Sequence, residues 1–326
     1  MGFRAAVCTR YGEPESVEIH DLPGTALTPG AARVAVEIAA VNYPDVLVIA
    51  DRYQVSVPTP FIPGSEFAGV ITEVGDGTEG VSAGDRVTGT GLFGAFAQEV
   101  VVDAARLTPI PEHLTTRQAA AAGVAYRTAY HSLRSVAGIR KGDTVVVLGA
   151  GGGVGLAAVA LATSLGAEVV AVASTRDKLD AAQRHGARHL VDHRGTDLRE
   201  ALRAVVGDGA DAVIDPVGGS LSEPALRSLR RGGRFVTIGF ASGDIPRIPL
   251  NLVLVKGVTV AGFQFTDIAP DEFSRNEDEL AELLRAGTVE PHVGGEYPLE
   301  QTSTALRIVA DGQAIGKILI RVGDHP

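Results

Sequence analysis

The run Thr144-Val-Val-Val-Leu-Gly-Ala-Gly-Gly-Gly-Val-Gly155 constrains the fold more than any other stretch of the chain. Val145 to Leu148 read as a strand buried on both faces, and the Ala- and Leu-rich run from Leu156 to Leu165, stopped by Gly166, reads as the helix that follows. Gly149, Gly152 and Gly155 are the key positions between them. Gly152 lets the backbone approach an anion closely, Gly155 lets the helix pack on the strand, and the free N–H groups of the helix start attract negative charge. The expected ligand is the diphosphate of a dinucleotide, held by Gly149, Gly152, Gly153, Val154 and Gly155.

The sequence continues as a βαβ unit should. Glu168-Val-Val-Ala-Val-Ala173 gives a second buried strand, followed by a helix from Arg176 to His185 and a closing Gly186. In dinucleotide folds selective for NAD, an Asp or Glu ends this strand and binds the adenosine ribose. Here no carboxylate stands there, and the next residues are Ser174, Thr175, Arg176 and Lys178. Cations and hydroxyls suit a 2′-phosphate, so NADP(H) is expected, with Ser174, Arg176 and Lys178 as its contacts. In the plainer reading Ser174 caps the helix and the two cations are solvated, and Asp177 among them weakens the positive field.

At 326 residues the chain suits two domains. No apolar run reaches the roughly 18 residues of a membrane-spanning helix, and the N-terminus has no apolar leader core, so a soluble, cytoplasmic protein is expected. Cys8 is the only cysteine, which excludes an internal disulfide and a cysteine-cage zinc site. A net charge of −10 argues against a nucleic-acid partner.

Residues 1–122 carry short β-like runs between Gly, Pro and Asp turns, as at Arg33–Ile38, Gly69–Val74 and Asp85–Thr88, the pattern of an irregular β domain. Residues 123–265 alternate strands and helices, the pattern of an α/β, doubly wound parallel sheet. Ala210–Asp215 and Gly233–Gly239 are its later strands. The carboxyl ends of such strands face the ligand crevice, which places Val217 in Pro216-Val-Gly-Gly219, and Gly239, Phe240 and Ala241, near the reactive half of a dinucleotide. Val258–Phe263 reads as an apolar edge strand, so a homodimer through the sheet edge is expected. Residues 266–326, with a helix over Asp278–Ala286 and a strand over Lys317–Arg321, are expected to return to the first domain. A cleft between the two domains is the expected ligand site.

Taken together, Ala40-Val-Asn-Tyr-Pro-Asp45, Pro63-Gly-Ser-Glu-Phe-Ala-Gly69, Gly84-Asp-Arg-Val87, Leu148 to Gly155, Asp215-Pro-Val-Gly-Gly219 and Gly239-Phe-Ala-Ser-Gly243 resemble the medium-chain dehydrogenase/reductase superfamily. Within it the chain is similar to the zinc-free, zeta-crystallin-like NADPH:quinone oxidoreductases, over nearly its whole length. The resemblance implies a Rossmann domain inserted into a GroES-like, mainly β catalytic domain. In the zinc alcohol dehydrogenases a cysteine stands at the position resembling Asn42 and a histidine at that resembling Ser65, beside an acid resembling Glu66. Asn and Ser are poor zinc ligands, so no catalytic metal is expected.

Without a Lewis acid, hydride from NADPH needs an acceptor already electrophilic by conjugation, a quinone or an α,β-unsaturated carbonyl. The developing oxyanion needs donors. By resemblance these are Asn42 and Tyr53, with Asp45 orienting one of them. The plainer readings are that Asn42 holds the loop backbone, Asp45 pairs with an arginine and Tyr53 is a wall. Resemblance also implies that Thr128 lines the nicotinamide side and His193 lies near the adenosine. Phe240, Phe263 and Phe265 are either cleft walls or core. Two competing functions stand beside quinone reduction: reduction of enones or enoyl thioesters, and a non-catalytic protein that only binds NADPH.

Overall fold

In the computed structural model, which describes residues 2–323, the N-terminal apolar alternation becomes an antiparallel β unit. Its first part contains β1 (Gly2–Cys8), β2 (Val17–Pro23), β3 (Ala31–Val41), helix α1 (Tyr43–Ile49), β4 (Glu66–Val74), β5 (Arg86–Thr90), β6 (Glu99–Asp103) and β7 (Leu107–Pro109). Helix α2 (Thr116–His131) then carries the chain out of this unit, whose first part ends at Val124. Val34 and Val36 of β3 lie on one face and pack with Phe67, Ile71, Val87 and Phe96 in a shared core.

The second unit, Ala125–His292, is built on a sheet of parallel strands. In chain order it contains β8 (Thr144–Leu148), α3 (Gly153–Ser164), β9 (Glu168–Ala173), α4 (Arg176–Arg184), β10 (His189–Asp192), α5 (Leu198–Val205), β11 (Ala210–Asp215), α6 (Ser222–Arg227), β12 (Leu229–Thr237), α7 (Leu250–Lys256), β13 (Thr259–Gly262) and α8 (Pro270–Arg285). The strand order is β10-β9-β8-β11-β12-β13. The chain winds outward from β8 to β10, then crosses back to β11, so the reversal falls between β8 and β11, where such sheets bind ligands. Val145 to Leu148 are all inaccessible to solvent, as a strand covered on both faces requires. Strand β13 is the sheet edge, as its sequence suggests.

The return to the first unit begins at Val293, later than expected from the sequence. It comprises β14 (Val293–Pro298), α9 (Thr302–Ala310) and β15 (Lys317–Arg321), and extends the first sheet to the order β14-β15-β3-β4-β5-β7. Residues 266–292 belong instead to the second unit. The reason is α8, whose polar residues bind the end of α2: Glu277 pairs with Arg127 and with His131, and Glu279 accepts from the Tyr130 hydroxyl. A helical pattern shows that α8 exists but not which sheet it joins.

Register decides what meets at one end of the first sheet. Ile318 of β15 lies opposite Val41 of β3, and Phe67 of β4 lies opposite Ala39. The end of β3, the start of β4 and the start of β15 therefore converge, bringing together Asn42, Glu66 and Lys317.

Candidate active site

The glycine turn in the second unit follows β8 directly. Gly149 has φ +60°, a left-handed conformation that favours glycine, and a Cβ there would come within 2.6 Å of Val217 Cγ2. A Cβ on Gly155 would lie 2.1 Å from the Gly149 carbonyl oxygen, so this glycine is demanded by helix-on-strand packing. Gly152 differs. A Cβ there would make only an ordinary 3.5 Å contact, so nothing within the protein forbids a side chain. Gly152 precedes α3, and the first helical bond is from Leu156 N–H to the Gly152 carbonyl, leaving the N–H groups of Gly153, Val154 and Gly155 without backbone acceptors. The turn fits a diphosphate: an open approach over Gly152 and an array of donors at a helix start.

At the end of β9 the residues sort differently from the expectation. Thr175, not Ser174, caps α4, its hydroxyl accepting from Lys178 N–H. Arg176 is three-quarters exposed and pairs with Asp180 one turn along, at 2.8 Å. Lys178 lies across the glycine turn, within 2.5 Å of where a Gly151 Cβ would stand. Burial, and secondarily Arg194, holds its ammonium pKa below the usual lysine value. His193 is likewise lowered, first by burial and then by Arg194. Lys178 and Arg194 thus place positive charge beside His193. Arg194 was not singled out in the sequence, although its neighbour His193, after the same strand, was.

The loops after β11 and β12 are tied to each other. The Asp215 carboxylate, wholly buried, accepts from Val217 N–H and Gly218 N–H at 2.8 Å each and from the Ser222 hydroxyl at 2.6 Å. Ala241 N–H donates to the Pro216 carbonyl, and Ser242 N–H to that of Val217. Val217, Gly239, Phe240 and Ala241 therefore share one loop pair at the carboxyl ends of β11 and β12. Phe240 is exposed.

Thr128 is buried on α2, next to Arg127. Phe263 is buried and Phe265 half-buried; they meet edge to face at 4.9 Å, and Phe265 also packs on His131 and Phe273. His131 stacks on Phe273 at 4.7 Å and bonds Glu277. These aromatics join α2, α8 and the segment after β13.

In the first unit the converging strand ends build a polar network. Lys317 Nζ lies 2.6 Å from Glu66 Oε1 and donates to Asn42 Oδ1 at 2.7 Å and to the Val41 carbonyl at 3.1 Å. Asn42 Nδ2 donates to Glu66 Oε1 at 2.8 Å and to Ser65 Oγ at 3.1 Å. Glu66 Oε2 accepts from Val124 N–H at 2.6 Å. Asp45, in the first turn of α1, accepts from Asn42 N–H at 2.7 Å. Its other oxygen has no hydrogen-bond partner, and burial pushes its pKa up to about 7.

Two expectations change here. The Asn42 side chain is committed on both sides of its amide, so it orders the network rather than offering a spare donor. Asp45 accepts from the Asn42 backbone and, among the described residues, pairs with no arginine. Tyr53 follows α1, half-buried against the core, and its hydroxyl makes no hydrogen bond among the described residues. Lys317 was missed: a lysine heading an apolar strand looks in sequence like an exposed strand start.

The donor chemistry at this point does not suit a divalent metal. At Asn42, Ser65 and Glu66 it consists of an amide, a hydroxyl and a carboxylate already neutralised by an ammonium, and a dication there would have to displace Lys317. Among the described residues no group of three or more His, Cys, Asp or Glu side chains could hold a metal ion. Among them also, no helix is long and apolar enough to cross a membrane.

Comparison with known proteins places these features. Residues 153–282 match the zinc-binding dehydrogenase family model and residues 28–112 the alcohol dehydrogenase GroES-like domain. The chain is 36% identical over 323 residues to quinone oxidoreductase-like protein 2 of Bos taurus, covering 98% of this chain and 92% of that protein. It is 31% identical to a part of the mycocerosic acid synthase-like polyketide synthase of Mycobacterium tuberculosis, over 98% of this chain and 15% of that protein. The fold superposes on Escherichia coli quinone oxidoreductase complexed with NADPH with a TM-score of 0.91 at 26% identity, covering 98% and 99% of the two chains.

Proposed function

The chain belongs to the zinc-free quinone oxidoreductase family of the medium-chain dehydrogenases/reductases, and we propose that it transfers hydride from NADPH to quinones or similar conjugated carbonyl acceptors without a metal. The observation that carries this reading is the Lys317–Glu66–Asn42 network, built around an ammonium where a Lewis acid would need open ligands. With no metal to polarise a simple carbonyl, the acceptor must be electrophilic by conjugation.

The reduced nicotinamide supplies the hydride. The protein's own residues bind and orient. Gly152, Gly153, Val154 and Gly155 hold the diphosphate, and Lys178 with His193 and Arg194 receives the 2′-phosphate of NADPH; Arg176, paired outward with Asp180, contributes little. Val217, Gly239, Phe240 and Ala241 lie along the nicotinamide half, with Thr128. Tyr53 provides a hydroxyl to the acceptor. Much of the rate comes from alignment of donor and acceptor. Two copies pair through edge strand β13, and the protein works in the cytoplasm.

A second reading, reduction of enones or enoyl thioesters, is favoured by the similarity to part of a polyketide synthase. One experiment separates the two. Purified protein is given NADPH or NADH with quinones, enones and enoyl thioesters, and the products from deuterated NADPH are read by NMR. Fast turnover of quinones with NADPH supports the proposal; deuterium fixed on carbon of an enone product, with quinones inert, transfers the assignment to the second reading. Tight NADPH binding with no turnover on any acceptor would leave a binding protein.

A further inference from the structure

Asp215 ends β11, and three donors converge on its buried carboxylate. Val217 N–H and Gly218 N–H reach Oδ1, and the hydroxyl of Ser222, equally buried at the start of α6, reaches Oδ2. Together they close a tight turn over 216–218, in which Gly218 takes a left-handed φ of +72°. A carboxylate taken out of water is tolerated only where donors replace the water it loses, so this one is bound to the geometry of its turn. The turn touches two other segments of the second unit.

One contact runs to the glycine turn after β8. Val217 Cγ2 lies 2.6 Å from where a Gly149 Cβ would stand, so the Val217 side chain packs directly on the Gly149 backbone. The other contacts run to the loop after β12. The Pro216 carbonyl accepts from Ala241 N–H at 3.2 Å and the Val217 carbonyl from Ser242 N–H at 2.9 Å, while Gly219 N–H donates to the Asp244 carbonyl at 2.9 Å. The Phe240 ring also lies against Gly218, its Cδ1 2.8 Å from where a Gly218 Cβ would stand. The turn that Asp215 holds therefore sets the spacing between the glycine turn and the loop of Gly239, Phe240 and Ala241.

We propose that Asp215 is a positioning residue for hydride transfer: by fixing the 216–218 turn it fixes where the nicotinamide end of NADPH stands relative to its diphosphate. This rests on the reading of the loops after β11 and β12 as the nicotinamide half of the site. Asp215, wholly buried, acts through Val217 and the loop bonded to it. A displaced turn leaves the diphosphate anchored at Gly152 to Gly155 but frees the ring to take positions from which hydride does not reach the acceptor. A misplacement of about 1 Å is enough to slow such a step roughly 100-fold.

The test uses the full chain and three variants. Asp215→Ala leaves two N–H groups and a hydroxyl without their acceptor, and Ser222→Ala removes one bond only. Asp215→Asn keeps all three, since its amide oxygen accepts from both N–H groups while its NH2 donates to a reversed Ser222 hydroxyl. Each is titrated with NADPH and with 2′-phospho-ADP-ribose, the same molecule without nicotinamide, and the emission of bound NADPH reports how firmly the ring is held. Asp215→Ala, and Ser222→Ala in smaller degree, should bind the fragment as the unaltered protein does but lose the gain in emission on binding NADPH; Asp215→Asn should restore it. With 1,4-benzoquinone, kcat should fall about tenfold or more in Asp215→Ala with KM for the quinone little changed, and the isotope effect from NADPH deuterated at the transferred position should rise. Equal weakening of NADPH and the fragment would make Asp215 a prop of the fold and overturn the proposal, as would unchanged emission and kcat. Should Asp215→Ala fail to fold, Ser222→Ala decides by the same comparison. Inactivity of the unaltered protein towards every acceptor would count against the function, while fragment binding and emission would still decide the role of Asp215.

Discussion

Lys317 Nζ and Glu66 Oε1 form an ion pair 2.6 Å long whose side chains are 3% and 2% exposed, between strands far apart in the chain. The ammonium's three bonds, to Glu66, Asn42 and the Val41 carbonyl, satisfy all its hydrogens. Such a pair contributes little over an apolar substitute, but breaking it strands a charge away from water.

Lys317→Met should therefore destabilise the protein by about 3–5 kcal/mol in denaturant unfolding. Lys317→Met combined with Glu66→Gln should cost less than the sum of the two single changes, because the second removes the stranded charge. Strict additivity would mean that the two groups are not coupled.

The glycines of the turn should separate by variant. Gly155→Ala forces a Cβ against the Gly149 carbonyl and should lose about 1–3 kcal/mol of stability. Gly152→Ala meets only an ordinary contact and should leave the melting temperature nearly unchanged while weakening NADPH in a binding titration. Unchanged affinity in Gly152→Ala would remove the diphosphate from this turn.

Cofactor choice should rest on Lys178 and Arg194. Replacing either with Ala should weaken NADPH by about 1–3 kcal/mol more than NADH, as expected for charge-assisted bonds to a phosphate. Arg176→Ala should discriminate little, since Arg176 already pairs with Asp180. Calorimetric titration of both cofactors measures the difference.

Asp45 should leave a pH signature on stability. Its folded pKa, raised by burial to about 7 from 3.8, means that the folded state holds its proton more tightly than the unfolded chain. Its contribution is most favourable below the unfolded value and is lost as pH rises from there to neutrality, on the order of 4 kcal/mol. Asp45→Asn should abolish that part of the slope between acid and neutral pH in denaturant unfolding. An identical slope in the variant would show that folding does not raise the Asp45 pKa.

The edge of the parallel sheet should govern association. Val260 in β13, with Leu250, Leu254 and Val255 of α7, is exposed. Val260→Lys should shift the protein towards monomer in light scattering after size exclusion, because a charge on an edge strand opposes pairing.

Elements whose pattern is local were legible. Val145 to Leu148 announce a two-face-covered strand by being apolar without interruption, and the turn is announced by Gly149, whose backbone is left-handed, and Gly155, where the Gly149 carbonyl leaves no room for a Cβ. Thr175 displaced Ser174 as the cap, and Arg176 turned to Asp180, because a one-residue shift at a helix start changes which side of the helix a residue faces. Asn42 was legible as a polar residue of this loop, but not as one with every side-chain hydrogen committed.

Sequence alone determined the fold family and the glycine turn after β8, since each depends on residue types within a short stretch. Tertiary structure alone decided that α8 stays with the parallel sheet, that Arg194 joins Lys178, and that Lys317 lies buried between Glu66 and Asn42. Those outcomes follow from strand register and burial, which bring together residues of separate elements and strip water from them, and no local pattern encodes either.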